Sequence, residues 1–301
     1  MGKIAVALQQ ALTRRAATGS PGRTAGRPLA RGDGWVVEDV VCTFGPGDRR
    51  FEERHAEVAI GVVVAGSFEY RSALGSVLLT PGSLLLGNAG ESFECGHEHA
   101  AGDRCVAFRY APDYFERLVA DTGAPPPRSA RRFGITRVPP LPESAALVAR
   151  AASGLDPSTA VSWEELAVRV AARAVRLACG PLSRQSGLPP GAVRRVTQSV
   201  RAIEDRPGVH WTLGVLAAEA GLSPFHYLRT FCELTGVTPH QFILRARLRE
   251  AATRLAQPRR EARVIDIALD AGFRDISNFN RSFRAEFGAA PQGYARRGDR
   301  V

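Results

Sequence analysis

"GLSPFHYLRTFCELTGVTPHQF" occupies Gly221–Phe242, and "GFRDISNFNRSFRAEFGAAPQGY" occupies Gly272–Tyr294. Both open on Gly and an apolar residue, pass through a short polar turn, run into a helix-like stretch carrying Arg and Phe, and close on Gly, Pro and an aromatic. Leu213, Ala217, Ala220 and Gly221 match Val264, Ala268, Ala271 and Gly272 at an offset of 51. After a one-residue insertion, Phe231, Gly236, Pro239 and Phe242 match Phe283, Gly288, Pro291 and Tyr294 at 52. The end of the chain therefore holds an internal repeat, each copy reading as a short helix, a turn and a second helix.

In the first copy Thr212 caps a helix whose buried stripe is Leu213, Leu216, Ala217 and Ala220, and Gly221 ends it in the left-handed region. Ser223 caps the next helix and Pro224 takes its first position, where a missing N–H costs nothing. Tyr227, Phe231 and Leu234 recur at helical spacing and face the core, leaving Phe225, His226, Arg229 and Glu233 outward. In the second copy Phe279, Phe283 and Phe287 form the buried stripe, and Ile276, Ser277, Asn280, Arg281 and Arg284 point away from it. Two short helices about a Gly turn make a helix-turn-helix unit, whose second helix suits a DNA major groove. Arg can donate twice to guanine, Asn can pair with adenine, and Ser or aliphatic groups can meet thymine methyls. Between the copies "TPHQFILRARLREAATRLAQP" predicts an Arg-rich spacer helix ending at Pro258. Such a spacer would set the two units on successive major grooves about 34 Å apart. Arg245, Arg247, Arg249 and Arg254 are phosphate-contact candidates by charge alone. The competing reading is a helical bundle with solvated arginines.

From about Val193 to Tyr294 the chain resembles the DNA-binding domain of the AraC/XylS family of bacterial transcription regulators. "AAEAGLSPFHYLRTFCELTGVTPHQF" and "IALDAGFRDISNFNRSFRAEFGAAPQGY" carry the likeness, over about a third of the chain. The resemblance implies two helix-turn-helix subdomains joined by a long helix, with base contacts from Phe225, Leu228 and Arg229 in the first and Ile276, Ser277 and Arg281 in the second. Leu228 departs from the family pattern, which often has a polar residue there, so hydrogen-bond reading by the first unit falls mainly to Arg229. Promoter DNA and RNA polymerase are the implied partners and activation the implied outcome.

The charge distribution agrees. The 301 residues carry a formal +10, with eighteen Arg against eleven acids from Pro190 onward and six basic groups with no acid in the first 32 residues. The stretch between is slightly acidic, which points to an anionic polymer or surface as partner. Five cysteines, an odd number, argue for reduced thiols in a cytoplasm, and the expected location is cytoplasmic and nucleoid-associated. The longest apolar run, "VAIGVVVAG" from Val58, is far too short to cross a membrane.

Residues 1–32 read as a disordered basic tail. From Trp35 to about Tyr110, "WVVEDVVCTF", "EVAIGVVVAGSFEY" and "SVLLTPGSLLLGN" predict short strands separated by Pro-Gly and Gly-Asn turns, hence a small barrel or sandwich. "LLTPGSLLLG" resembles the turn of cupin-like barrels. Many relatives in the resembled family carry such a barrel for sensing an effector or for dimerisation. "WEELAVRVAARAVRLACG" predicts a helix over 162–179, a second candidate for a homodimer contact, and "PLSRQSGLPPG" a linker. The expected fold is α+β. A cupin-like β-barrel domain with C-terminal helices covers 33–180, a linker 181–191, and an all-α domain with two helix-turn-helix subdomains 192–296.

"FECGHEHAAGDRC" gathers Cys95, His97, His99 and Cys105 within eleven residues. On a strand Cys95, His97 and His99 share one face, where two imidazoles and a thiolate could hold zinc or another divalent metal. Cys105 or His55 would complete four ligands, giving a metal- or thiol-responsive switch. The plain alternative is polar loop and barrel residues. Cys42, Cys179 and Cys232 read as small buried hydrophobes. The expected activity is DNA binding and not catalysis. A cupin-type metal-dependent enzyme is the rival, but an oxygenase has no use for two helix-turn-helix units. A DNA-alkylation response protein would need a four-Cys zinc site and a Pro-Cys-His-Arg string, and neither is present.

Overall fold

The computed structural model describes residues 3–99, 101–121, 133–178, 190–256 and 262–298. The chain begins with α1 (Lys3–Thr18), β1 (Thr24–Gly32), β2 (Trp35–Cys42), β3 (Phe51–Arg54), β4 (Val58–Gly66), β5 (Phe68–Ser72) and β6 (Gly75–Leu79). β7 (Leu84–Gly87), β8 (Ser92–Gly96), β9 (Asp103–Tyr110), α2 (Pro112–Asp121), β10 (Arg137–Val138), α3 (Pro142–Ser153) and α4 (Trp163–Ala178) follow. The rest is helical: α5 (Pro190–Asp205), α6 (Leu213–Glu219), α7 (Pro224–Thr235), α8 (Pro239–Leu255), α9 (Val264–Asp270), α10 (Ile276–Phe287) and α11 (Pro291–Gly298). The molecule is α+β, a cupin-like antiparallel front half followed by a helical back half.

The strands form two sheets, β1-β2-β9-β4-β7-β10 and β3-β8-β5-β6, with every pairing antiparallel. Alternation along the strands of the larger sheet sends Val58, Ile60, Val62, Val106, Phe108 and Tyr110 to one face. There they pack with Leu147, Val148 and Ala151 of α3 and the stripe Leu166, Val170, Ala174 of α4. The opposite face presents Val63 and Cys105 to Phe68, Tyr70, Val77, Leu79 and Cys95 of the smaller sheet. α4 thus spends its apolar stripe within its own chain, and its outer face carries Glu164, Glu165, Arg169 and Arg176 with Val168 exposed among them.

Residues 1–32 are not a disordered tail over the described part, and this corrects the sequence reading. Leu8 of α1 is buried, and a Cβ on Gly102 would meet Leu8 and Leu12 at 3.0 and 3.1 Å. Arg15 donates to Thr43 O at 2.5 Å and pairs with Asp48 at 2.7 Å. β1 pairs with β2 through most of its length although its side chains are largely exposed. It is an edge strand held by backbone bonds, and the bulge beside Pro28 accommodates the residue that cannot donate.

Candidate nucleic-acid interface

Both helix-turn-helix units are built by the same local rules. Thr212 Oγ1 accepts from Val215 N at 3.2 Å and Ser223 Oγ from His226 N at 3.3 Å, so each helix of the first unit starts on a side-chain cap. In the second unit Asp275 caps α10 by accepting from Ser277 N at 2.8 Å. The turns are superimposable in pattern. Gly221 and Gly272 lie at φ +64° and +91°, the left-handed region that glycine enters without strain. The next residue's N–H returns to the preceding helix in each: Leu222 to Ala217 O and Phe273 to Ala268 O, both at 3.0 Å. Gly236 and Gly288 end α7 and α10 in the same left-handed conformation.

The buried stripes are as the spacing predicts. Tyr227, Phe231 and Leu234 of α7 pack with Leu216 and Ala217 of α6 and with Val196 and Val200 of α5. Phe279, Phe283 and Phe287 of α10 pack with Ile267 and Ala268 of α9, and with Ala145 and Ala149 of α3. The second unit is therefore seated on the front half.

What remains outside is a polar and aromatic face on each second helix. Phe225 is 77% exposed, and His226 and Arg229 are exposed beside it, with Leu228 half-buried. On α10, Ser277, Asn280, Arg281 and Arg284 are exposed. Ile276, expected to point outward, is half-buried against the core of its own unit, because the first turn of α10 lies against it. Arg229, Arg281 and Arg284 pair with no described residue.

The spacer helix α8 is not the phosphate-facing element its charge suggested. It starts on a Thr238–Gln241 capping box, and each of its four candidate arginines is engaged by protein. Arg245 is buried, donates to Pro140 O at 2.7 Å and faces Glu286 at 3.2 Å. Arg247 donates to Pro207 O and Val209 O, both at 2.9 Å. Arg249 bonds Glu204 and lies over the Phe242 ring, and Arg254 pairs with Asp270 at 2.9 Å. Arg245 is accordingly removed from the DNA-contact set. Pro140 lies buried just after β10, so its carbonyl needs a donor and Arg245 supplies it. Arg137, which the sequence did not single out, does the same from the other side, donating to Leu78 O and to Leu234 O at the end of α7.

Residues 216–297 match a family model described as a helix-turn-helix domain, and residues 43–170 one described as an AraC-like ligand binding domain. The regulatory protein SoxS of Salmonella typhimurium is 34% identical over 85 residues, 28% of this chain and 78% of SoxS. The chain belongs to the AraC/XylS family. The transcriptional activator NphR of a Rhodococcus species is 40% identical over 93 residues, 30% of this chain and 26% of NphR. The regulator MtrA of Neisseria gonorrhoeae is 26% identical over 105 residues, 35% of this chain and 34% of MtrA. Like MtrA, the first curated relatives of this AraC/XylS member are matched over about a third of their own length.

The metal candidates of the front half are redistributed by the fold. β8 ends at Gly96 and residues 98–99 turn, so His99 leaves the face that Cys95 and His97 share. Cys95 lies between Phe51 and Tyr70 in the smaller sheet, within an apolar core. His55 bonds Tyr70 Oη at 2.9 Å and stacks on Phe93, apart from the others. Of the four expected ligands, His97 and Cys105 stay together, and they gather around Asp103. Cys42, expected as an apolar filler, joins them. Cys232 is half-buried on α7, and Cys179 lies outside the described residues.

Proposed function

We propose that this protein regulates transcription by reading promoter DNA with α7 and α10 held in two neighbouring major grooves. One observation carries the reading: two helices of similar local construction leave Arg229, Arg281 and Arg284 exposed with no partner among the described residues, while the four candidate arginines of the spacer are engaged by protein. The base readers are Phe225, His226, Leu228 and Arg229 in the first unit and Ser277, Asn280, Arg281 and Arg284 in the second. Ile276 contributes an apolar edge at the start of α10. Activation through RNA polymerase is the expected outcome, in keeping with relatives described as transcriptional activators. A protein that reads promoter DNA is expected at the nucleoid, in the cytoplasm. Among the described residues no helix is long and apolar enough to cross a membrane.

The front half would supply the signal. A cavity of about 1190 Å³ lies where the halves meet, bounded by Leu8 and Leu12 of α1, Val148 of α3, Arg201 and Glu204 of α5 and Arg249 of α8. A polar small-molecule effector held there would touch both halves at once. Selection of preferred duplexes from a random pool, followed by footprinting, tests the DNA reading. Protection of two grooves one helical turn apart is expected; protection limited to a few base pairs overturns it.

A further inference from the structure

Cys42 at the end of β2 and Asp103 at the start of β9 stand directly opposite in the antiparallel register, and His97 follows the last residue of β8. One ligand-type atom from each of Cys42, His97 and Asp103 lies within 4.8 Å of the other two, and all three residues are buried. Asp103 is the hub. Its Oδ1 lies 2.7 Å from His97 Nε2, and its Oδ2 accepts from Cys105 Sγ at 3.3 Å. Cys105 is two residues further along β9, so it shares the inward face with Asp103. The His97 ring stacks near Phe44 and Phe68, with centroids 6.4 and 5.9 Å away, which holds its plane.

As a plain hydrogen-bond network this cluster is poorly made. Among the described residues His97 Nδ1 is buried without a hydrogen-bond partner. Two buried thiols crowd one carboxylate that already meets an imidazole. A cation among them would reverse that conflict, because it favours thiolate and carboxylate together.

We infer that Cys42, His97, Asp103 and Cys105 form a binding site for a thiophilic divalent metal ion, with zinc the first choice. Two sulfurs, one imidazole and one carboxylate are a tetrahedral zinc donor set, whereas magnesium and calcium take oxygen cages. Zinc–ligand bonds of about 2.0–2.3 Å place donors roughly 3.3–3.8 Å apart, closer than the 4.8 Å that bounds the Cys42, His97 and Asp103 atoms. The site also sits at a joint between the halves. Ala101, in the connection from β8 to β9, accepts at its carbonyl from Arg201 of α5 at 2.5 Å.

The test uses full-length protein purified without an affinity tag, stripped with chelator, desalted and titrated with zinc or cobalt(II). One zinc per chain should survive desalting, as counted by mass spectrometry of the metal. Cobalt should give thiolate charge-transfer bands and strong tetrahedral visible bands. Cys42→Ser and His97→Ala should each weaken zinc in chelator competition by more than about 100-fold. His99→Ala and Cys232→Ser should not change it. Circular dichroism checks each variant, and Asp103→Asn, nearly isosteric, serves if His97→Ala does not fold. The inference is overturned by wild-type protein that retains no metal, by cobalt bound without thiolate bands, or by a folded Cys42→Ser or His97→Ala variant that holds zinc as tightly as wild type.

Discussion

The spacer helix and the two reading helices all carry arginines, and the fold puts them to opposite uses. On α8, Arg245, Arg247, Arg249 and Arg254 each bind a carbonyl or a carboxylate of the protein. On α7 and α10, Arg229, Arg281 and Arg284 stand exposed with no described partner. The difference lies in what surrounds each helix. α8 runs between the two units and against the front half, so its long side chains end among carbonyls that need donors. α7 and α10 bury only their aromatic stripes, and their second faces end in solvent. A count of positive charge therefore overstates the DNA surface, since part of it holds the molecule together.

The sharpest break between the two groups should appear at Arg245. Arg245→Ala leaves Glu286 and Pro140 O enclosed without their partner, and removing one member of a buried pair costs about 3–5 kcal/mol. A urea or thermal melt should show that loss, while the salt dependence of DNA binding stays as in wild type. A stable variant with weaker binding to random DNA would return Arg245 to the phosphate-contact set.

Arg229→Ala and Arg281→Ala should behave in the reverse way. Each is expected to weaken specific binding by about 1–3 kcal/mol and to relax preference at one base position. Fold stability should move by no more than about 0.5 kcal/mol, because neither side chain holds a partner among the described residues. Competition binding against single-base variants of the selected site measures both. Unchanged affinity and preference for Arg229→Ala would mean that the first unit is docked by some other face.

The same contrast explains what could be read from the sequence. The back half was legible because caps, glycine turns and aromatic stripes are local signals, and they occur twice; Ser223, Gly221 and Phe231 each announce their role within a few residues. The seating of α10 on α3 was not, since Ala145 and Ala149 carry no pattern beyond helix propensity. β1 was missed because an exposed edge strand has no apolar alternation to display. The cysteine–histidine cluster was drawn from strand alternation, but β8 ends at Gly96 and the chain turns at His99, while Cys42 enters only through the β2–β9 register. A ligand donated by strand pairing leaves no spacing motif behind.

Smaller effects probe whether caps and exposed pairs follow the same division. Ser223→Ala and Asp275→Ala each remove the side-chain acceptor at the start of a reading helix, and each should cost about 1 kcal/mol of stability. That loss should appear in melts and, through fraying of the first turn, in DNA affinity.

Arg254→Ala is the weakest and most discriminating case. Its partner Asp270 is mostly exposed, with 61% of its side chain open, so the pair should contribute no more than about 1 kcal/mol and less at high salt. A structural arginine predicts that small, salt-screened change in stability and an unaltered slope of DNA affinity against salt. A phosphate contact predicts a slope shallower by about one. Measuring melting and binding across the same salt series distinguishes the two, and a shallower slope would place this end of the spacer with the reading helices.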